Sequence, residues 1–378
     1  MTPSERSCPV RWTVACAAAL FLVSAVGCEA ETPVVVPPPK APTTQASSSE
    51  DALRDRIDRA IELTSKRVLK KDTNNAWQVV HGIIAYGPQL QMVVDGQKVS
   101  ALRYLFDGNT MNGWVLFPGQ TKDGLDAQLV PGSSSAQGHP DQWIGYFACC
   151  GVKLDEPIVV QVAGQPKTYQ FRNMLSEAQW KIHEGMEATW TLMALSPYVG
   201  EYMKIDDTWK ARDGKGWNLE QIVEMEADAG IEGAACGGAH RLYALASALK
   251  AYRAAGKVPT AGGWAAAEEL VNNSIANAFK FQQPDGGFSN DRFFRSSITP
   301  DIDERIDSTG HVLEVVAYAV PDDKLSDPKL VRAVEFLCKK IEESKAIPIG
   351  CGGLYHGVHG LMIYRERRFG KPTPTAAE

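Results

Sequence analysis

The chain has 378 residues and a formal net charge of −6 at pH 7, with 44% hydrophobic and 22% charged residues. This acidic balance argues against nucleic acid as a partner. About 325 residues follow a polar N-terminal region, enough for one large domain or two smaller ones. The cysteines in that part form an odd, scattered set, which is not a disulfide framework (Cys149, Cys150, Cys236, Cys338 and Cys351).

The first predicted element is an export signal. Two arginines precede a short apolar run, Trp12 to Gly27, which ends in small residues. The run is shorter than the roughly 20 apolar residues that span a bilayer, so residues 1–27 are predicted to be a signal peptide. The sequence "AVGC" that ends at Cys28 resembles a bacterial lipobox. It implies lipidation of Cys28 and an exported protein of the cell envelope, anchored to a membrane and facing the periplasm or the exterior. The alternative is an ordinary cleaved signal in which Cys28 is incidental.

A tether and a globular domain follow. Residues 28–50 are rich in Pro, Ser and Thr and lack an apolar period, so they are predicted to be a disordered tether. The globular domain is predicted over residues 51–370, with a disordered tail at 371–378. No stretch after the signal is apolar enough to span a bilayer.

Along the domain, charged amphipathic segments alternate with segments that are apolar nearly all round. The first kind predicts outer helices and the second predicts inner helices enclosed by them. This pattern predicts an all-α fold, an α/α toroid of about six inner and six outer helices. Two β-hairpin insertions are predicted near residues 90–105 and 157–172, each with two short strands around a Gly turn. No outer helix is placed over residues 107–142, where Gly, Pro and Ser dominate. The predicted inner helices lie at 77–87, 142–152, 184–199, 233–252, 307–320 and 351–366.

One motif carries a family resemblance. The stretch "FKFQQPDGGF" is similar to the repeat motif of the squalene cyclase and protein prenyltransferase superfamily, with Phe279, Gln283, Gly286 and Phe288 at its key positions. The resemblance implies the toroid fold and gives these four residues a structural role, tying helix ends together. Within that superfamily the whole chain resembles uncharacterised exported bacterial lipoproteins.

The catalytic motifs of those families are not intact. Asp307 to Gly310 resembles the second half of the acidic cluster of the cyclases, with Ser308 where a second acid is expected. Prenyltransferases bind zinc through an Asp-x-Cys pair, whereas Asp307 is followed two residues later by Thr309. Cys351 lies in "GCGGL", which lacks the Glu and Gln of the thioester motif G-C-G-E-Q.

Polar residues nevertheless recur where the predicted inner helices begin. Helices of one layer run parallel, so their N-termini would gather at one cavity mouth, with a positive field that favours an anionic or electron-rich ligand. The spacing of Cys236 and His240, and of Asp307 and His311, places each pair on one helix face. The candidate catalytic residues are His81, His183, Glu184, His240, Asp307, His311 and His356, with Glu187 as a further acid or base. Zinc is one option, and its candidate ligands are Cys236, His240, Asp307, Cys351 and His356, with His359 beside the last.

Structural roles compete with these assignments. A histidine on an apolar helix is often a core residue with a satisfied hydrogen bond, and no C-x-x-C pair supports a metal site. Trp77, Trp143, Trp180 and Trp190 would line a sugar or lipid site or simply pack in the core.

Two functions remain from the sequence. One is a membrane-anchored lipoprotein whose toroid binds a ligand in its central cavity, with unknown activity. The other is an envelope enzyme, a hydrolase, lyase or transferase, that acts on a glycan, lipid or isoprenoid-like substrate. It would use His, Glu and Asp as acid–base groups, with zinc as its optional cofactor.

Overall fold

The computed structural model describes residues 45–130 and 138–371, with side chains from Ser49 onward. The predicted signal peptide, Cys28, most of the tether and the tail from residue 372 lie outside these residues. Helix α1 begins at Gln45, within the segment predicted to be a disordered tether, so the helical part of the chain starts earlier than expected.

The prediction of a mostly helical chain with small β-hairpins is confirmed. Among the described residues, none of the helices is both long and apolar enough to cross a membrane. The helices are α1 (Gln45–Ser65), α2 (Ala76–Tyr86), α3 (Ala101–Phe106), α4 (Gln142–Cys149), α5 (Phe171–Lys181), α6 (Thr189–Leu195), α7 (Leu219–Asp228), α8 (Ala239–Ala254), α9 (Gly262–Lys280), α10 (Ile302–Ala319), α11 (Pro328–Glu343) and α12 (Cys351–Phe369).

The strands of the described residues form two-stranded antiparallel hairpins. The first and third hairpins confirm the predicted insertions. The second fills the region in which no outer helix could be placed, since its two strands pair in register from Trp114 with Leu129 to Pro118 with Leu125. The fourth was not predicted, because its strands have only two residues each. The strands are β1 (Gln91–Val94), β2 (Gln97–Ser100), β3 (Trp114–Pro118), β4 (Leu125–Leu129), β5 (Pro157–Val162), β6 (Gln165–Gln170), β7 (Trp209–Lys210) and β8 (Gly216–Trp217).

The even-numbered helices form a closed circuit of contacts. Each packs on the next, from α2 to α4, α6, α8, α10 and α12, and α12 packs back on α2. The odd-numbered helices contact this circuit from the side, with α9 against α7 and α8, and α11 against α10. Helices α2, α4 and α6 are buried along nearly their whole length because their residues are apolar all round.

Helices α10 and α12 approach each other closely because glycines face each other across the interface. A Cβ atom added to Gly310 would lie 2.6 Å from the Cα atom of Gly357. One added to Gly353 would lie 2.6 Å from the Cβ atom of Asp307, and one at Gly360 would lie 2.9 Å from the backbone nitrogen of Glu314. The glycines of "GCGGLYHGVHG" therefore let α12 lie directly against α10 and bring the polar residues of both helices together.

Side-chain caps fix several helix starts. Asn75 and Gln78 form a capping box at α2, and Asn218 and Gln221 form one at α7. The carboxylate of Asp301 accepts a hydrogen bond from the backbone nitrogen of Asp303 at the start of α10. Two of these caps precede helices whose first turns reach the cavity described below.

The repeat-like motif lies in the loop after α9. Gln283 donates hydrogen bonds to the carbonyl oxygen of Phe281 at 2.8 Å and to the hydroxyl of Ser296 at 3.0 Å. Gly286 has φ +98°, and an added Cβ there would lie 2.8 Å from the carbonyl oxygen of Arg332 on α11. Phe288 is fully buried, with its ring 5.9 Å from that of Phe279. The motif therefore joins the end of α9 to α11.

Candidate functional site

A cavity of about 400 Å³ lies at the first turns of α2, α10 and α12 and beside the turn that precedes α8. Seven of the candidate catalytic or metal-binding residues line it: His81, Cys236, His240, Asp307, His311, Cys351 and His356. Tyr146 on α4 and Asp303 and Glu304 on α10, which the sequence analysis did not single out, line it as well.

Two of the expected site residues lie elsewhere. His183 is exposed, and its Nδ1 atom pairs with the carbonyl oxygen of Lys181 at 3.0 Å. Glu184 is exposed and forms a salt bridge with Lys215 at 2.8 Å. Both precede α6, which begins at Thr189 and not at residue 184 as predicted, so they sit in a surface loop outside the cavity. Glu187 pairs with His139 at 2.7 Å and does not line the cavity either.

The four tryptophans divide between cavity and core. Trp77 lines the cavity, with its ring 3.9 Å from that of His81. Trp143 and Trp190 are buried, and the ring of Trp190 packs 4.7 Å from His240. Trp180 stacks under Arg212 on the surface of α5. Core packing therefore accounts for two of the four.

His81 is held as a neutral imidazole. Its Nδ1 atom donates to the carbonyl oxygen of Trp77 at 2.7 Å, and its Nε2 atom accepts from the hydroxyl of Tyr146 at 3.2 Å. Burial lowers the pKa of His81 well below its usual value, and the neighbouring His356 lowers it further. Both ring nitrogens have hydrogen-bond partners, so His81 lines the cavity without offering a free nitrogen to a ligand.

His311 is oriented by a carboxylate and leaves one nitrogen free. Its Nδ1 atom lies 3.2 Å from a carboxylate oxygen of Asp307 and 2.9 Å from the carbonyl oxygen of the same residue. Asp307 also pairs with Arg292. The Nε2 atom of His311 is buried and has no hydrogen-bond partner. Burial lowers the pKa of His311, but the charges of Cys236 and Asp307 outweigh this effect and raise it well above the usual value.

His356 shows the same arrangement one helix away. Its Nδ1 atom donates to the carboxylate of Glu314 at 3.0 Å, and the Nδ1 atom of His359 donates to the same carboxylate at 2.5 Å. Burial lowers the pKa of His356 to about 4, so the ring is neutral at pH 7. Its Nε2 atom is buried without a partner, like that of His311.

Sequence reasoning missed Glu314, although one signal was available. It is the only carboxylate in the apolar half of α10 and follows His311 by three residues, on the same helix face. Burial would raise its pKa, but the attraction and hydrogen bonds of His356 and His359 outweigh burial and hold it well below the usual value. An ionised glutamate thus lies beneath the cavity.

Cys236 sits in a strained turn that leads into α8. It has φ 50° and ψ 38°, in the left-handed region that non-glycine residues rarely adopt, and Gly237 and Gly238 continue in the same region. Burial would raise the pKa of its thiol, but the charges of His240 and His311, which each have a ring nitrogen within 4.8 Å of the sulfur, lower it to about 4. The sulfur is therefore a thiolate that faces two histidines.

Cys351 differs from Cys236 although it lines the same cavity. Its Sγ atom lies 3.4 Å from the carbonyl oxygen of Gln78. Burial raises the pKa of its thiol to about 12, so it stays protonated at pH 7. Its side chain is a weak hydrogen-bond donor between α12 and α2 and not an anionic ligand.

Two groups of side chains among the described residues have metal-ligand spacing. In one, a ligand atom from each of Cys236, His240 and His311 lies within 4.8 Å of the other two. In the other, the same holds for His240, Glu314 and His356. The carboxylate of Glu314 already accepts hydrogen bonds from the N–H groups of His356 and His359 and holds these two rings in place. The first group is therefore the better set of metal ligands.

No family model, curated protein or solved structure matches this chain.

Proposed function

We propose that the protein is a metal-dependent enzyme whose metal centre is formed by Cys236, His240 and His311 at the mouth of an α/α toroid. The observation that carries the proposal is the state of His311. Its Nε2 atom is buried in the cavity without a partner, while its Nδ1 atom is bound to the carboxylate of Asp307. Metal-binding histidines typically have this carboxylate support on the second nitrogen.

The donor set favours zinc. One thiolate and two imidazoles match a three-ligand catalytic zinc site, in which the fourth position is left to water or substrate. A zinc ion held this way lowers the pKa of a bound water to about 7 and polarises carbonyl groups. Asp307 fixes the ring of His311, and Glu314 holds His356 as a neutral base with its free nitrogen toward the cavity. This arrangement supports hydrolysis or a related addition–elimination reaction.

The toroid is the architecture that this proposal assumes. Its support is the closed circuit of contacts among the six even-numbered helices, with the odd-numbered helices packed against them. The motif that joins α9 to α11 supports the resemblance to the cyclase and prenyltransferase superfamily. The proposal also keeps the lipid anchor on Cys28 and the location in the cell envelope, both supported by the first 28 residues of the sequence.

The test is the metal content of the purified full chain after exposure to zinc and gel filtration. We expect about one equivalent of zinc in the parent protein, as in other single-site zinc enzymes. The Cys236→Ser and His311→Ala variants should lose it. Cys351→Ser and His183→Ala are matched controls, because burial keeps the first thiol protonated and the second imidazole lies outside the cavity. A parent without zinc, or zinc retained in both ligand variants, would contradict the metal centre.

A second candidate function has its own support. Cys236, His311 and Asp307 form a thiolate, an imidazole and a carboxylate in series, and the strained turn presents the thiolate at the start of α8. This is the arrangement of a cysteine nucleophile in acyl transfer. It and the zinc centre use the same sulfur, so the two functions exclude each other in one molecule at one time.

In the metal-free protein, the rate of alkylation by iodoacetamide should depend on pH differently for Cys236 and Cys351. A thiol whose pKa is about 4 is ionised throughout the range from pH 6 to 8, so the rate for Cys236 should not change with pH. Cys351, whose pKa is about 12, should react about ten times faster for each pH unit. Peptide mapping by mass spectrometry separates the two sites. If zinc does not protect Cys236, the nucleophile is favoured over the metal ligand.

A further inference from the structure

The outer rim of the cavity is acidic. Asp303 and Glu304 line it on the first turn of α10, and no lysine or arginine is among its lining residues. Deeper in the cavity, the charge of Asp307 is offset by Arg292 and by His311. Asp303 and Glu304 therefore carry the uncompensated charge of the mouth.

Neither carboxylate has a cationic partner within the described part of the chain. Asp303 accepts two hydrogen bonds from the backbone nitrogen of Gly350, at 2.9 and 3.0 Å, which leaves its negative charge in place. The side chain of Glu304 is exposed and forms no ion pair or hydrogen bond there. Acidic residues also stabilise the N-terminus of a helix, so their presence alone does not indicate a ligand.

A separate observation indicates that something occupies this cavity. His311 and His356 are each 2% exposed, both line the cavity, and the Nε2 atom of each lacks a partner. Buried polar atoms in proteins are nearly always paired, because an unpaired one costs about 1–3 kcal/mol. Trp77, Asp303 and Glu304 line the same cavity as these atoms.

The rim has the chemistry that holds an organic cation. Carboxylates supply the charge, and the indole ring of Trp77 beside them supplies an aromatic surface of the kind that attracts ammonium groups. The helix N-termini that meet at the cavity favour the opposite sign, but the acidic first turn of α10 counteracts their field at the rim. A cavity of about 400 Å³ accommodates a small organic molecule.

We propose that the substrate carries a positively charged amine, which binds at the rim between Asp303, Glu304 and Trp77. Its electron-rich reacting group, such as a carbonyl, then lies over the metal position formed by Cys236, His240 and His311. This inference rests on the metal centre proposed above and adds the class of substrate, an amine-bearing small molecule.

The test uses two metal-chelating probes that differ in one amine. The zinc-loaded full chain is titrated calorimetrically with 6-aminohexanohydroxamate and with hexanohydroxamate. The hydroxamate group of both probes binds the metal, whereas only the first carries an ammonium group. We expect the amine probe to bind about tenfold more tightly at low salt, and this preference to weaken as salt is added.

Variants of Glu304 test whether the tighter binding of the amine probe depends on the carboxylates of the rim. Glu304 is exposed and makes no contact that folding needs, so Glu304→Gln should lower the preference to about threefold, and Glu304→Lys should abolish it. The affinity of hexanohydroxamate should not change. Glu269→Lys makes the same change of charge at an exposed position on α9 and should leave both affinities as they are.

The outcomes separate the two proposals. Equal binding of the two probes to the zinc-loaded parent protein overturns the amine-bearing substrate and leaves the metal centre standing. A preference that survives Glu304→Lys also overturns it, because the amine then binds elsewhere. Failure of both probes to bind a zinc-loaded protein overturns the metal centre and this inference with it.

Discussion

Replacement of Glu314 by alanine is expected to lower the free energy of unfolding by about 2–5 kcal/mol, because each buried donor left without its acceptor costs about 1–3 kcal/mol. Glu314 is 4% exposed and accepts hydrogen bonds from His356 and His359. Without it, two buried imidazole N–H groups lose their acceptor, and a small cavity opens beside Tyr243 and Cys149. Chemical denaturation at pH 7 measures the loss.

The lowered pKa of Glu314 determines how its contribution to the free energy of unfolding changes with pH. The pKa of Glu314 in the folded protein lies well below its usual value, so its contribution to stability is complete at pH 7 and is lost as the pH falls through the folded pKa. The difference in stability between the parent and Glu314→Ala should therefore be constant above about pH 5 and shrink progressively below it. Glu314→Gln, which keeps an acceptor oxygen but not the charge, should lose less than alanine does.

A surface control separates this effect from the loss of any glutamate. Glu335 is exposed on α11, and Glu335→Ala should change stability by no more than about 0.5 kcal/mol. Zinc affinity gives a second readout, because Glu314 holds His356, whose ring packs 4.8 Å from that of His240 and 4.3 Å from that of His311. Its loss should weaken zinc affinity about tenfold, the lower end of the usual effect of removing a residue that supports a metal site. A Glu314→Ala variant as stable as the parent would show that the His356–Glu314–His359 contacts do not hold α10 to α12.

The alternation of charged amphipathic segments with largely apolar ones in the sequence led to most of the helical prediction. It also placed His240, His311 and His356 near helix starts, and the structure brings their rings within 4.3–5.2 Å of one another. Spacing of four residues puts Asp307 and His311 on one face whatever surrounds them, so that contact was accessible from sequence alone.

Other parts of the site depend on how the helices are rotated about their axes. Cys236 and Cys351 both precede glycine pairs, and the sequence gives them equal standing as ligands. The turn at Cys236 points its sulfur toward His240 and His311, whereas that of Cys351 faces the carbonyl oxygen of Gln78. His183 lies outside the cavity for a different reason. The segment from Glu184 was predicted to begin an inner helix, but α6 begins only at Thr189.

The glycine contact between α10 and α12 leads to the second large expected effect. Gly310→Val should lower the free energy of unfolding by about 2–3 kcal/mol, because an added Cβ would lie 2.6 Å from the backbone of Gly357 and neither helix can yield locally. The helices must separate, and His311 on α10 then shifts relative to Cys236 and His240, the other two proposed ligands. We therefore expect the variant to lose zinc affinity together with stability, and Gly310→Ala to show a smaller loss of both.

Gly216→Val is the matched control for this substitution. Nothing lies within 4 Å of a Cβ atom built at Gly216, and its backbone conformation is open to any residue. Thermal unfolding and zinc titration of Gly310→Val, Gly310→Ala and Gly216→Val measure the two expected losses, of stability and of zinc affinity. If Gly310→Val binds zinc as the parent does, the close approach of α10 and α12 is not what positions the histidines, and the glycines of "GCGGLYHGVHG" serve packing alone. If stability and zinc affinity fall together, the same glycines set the geometry of the site.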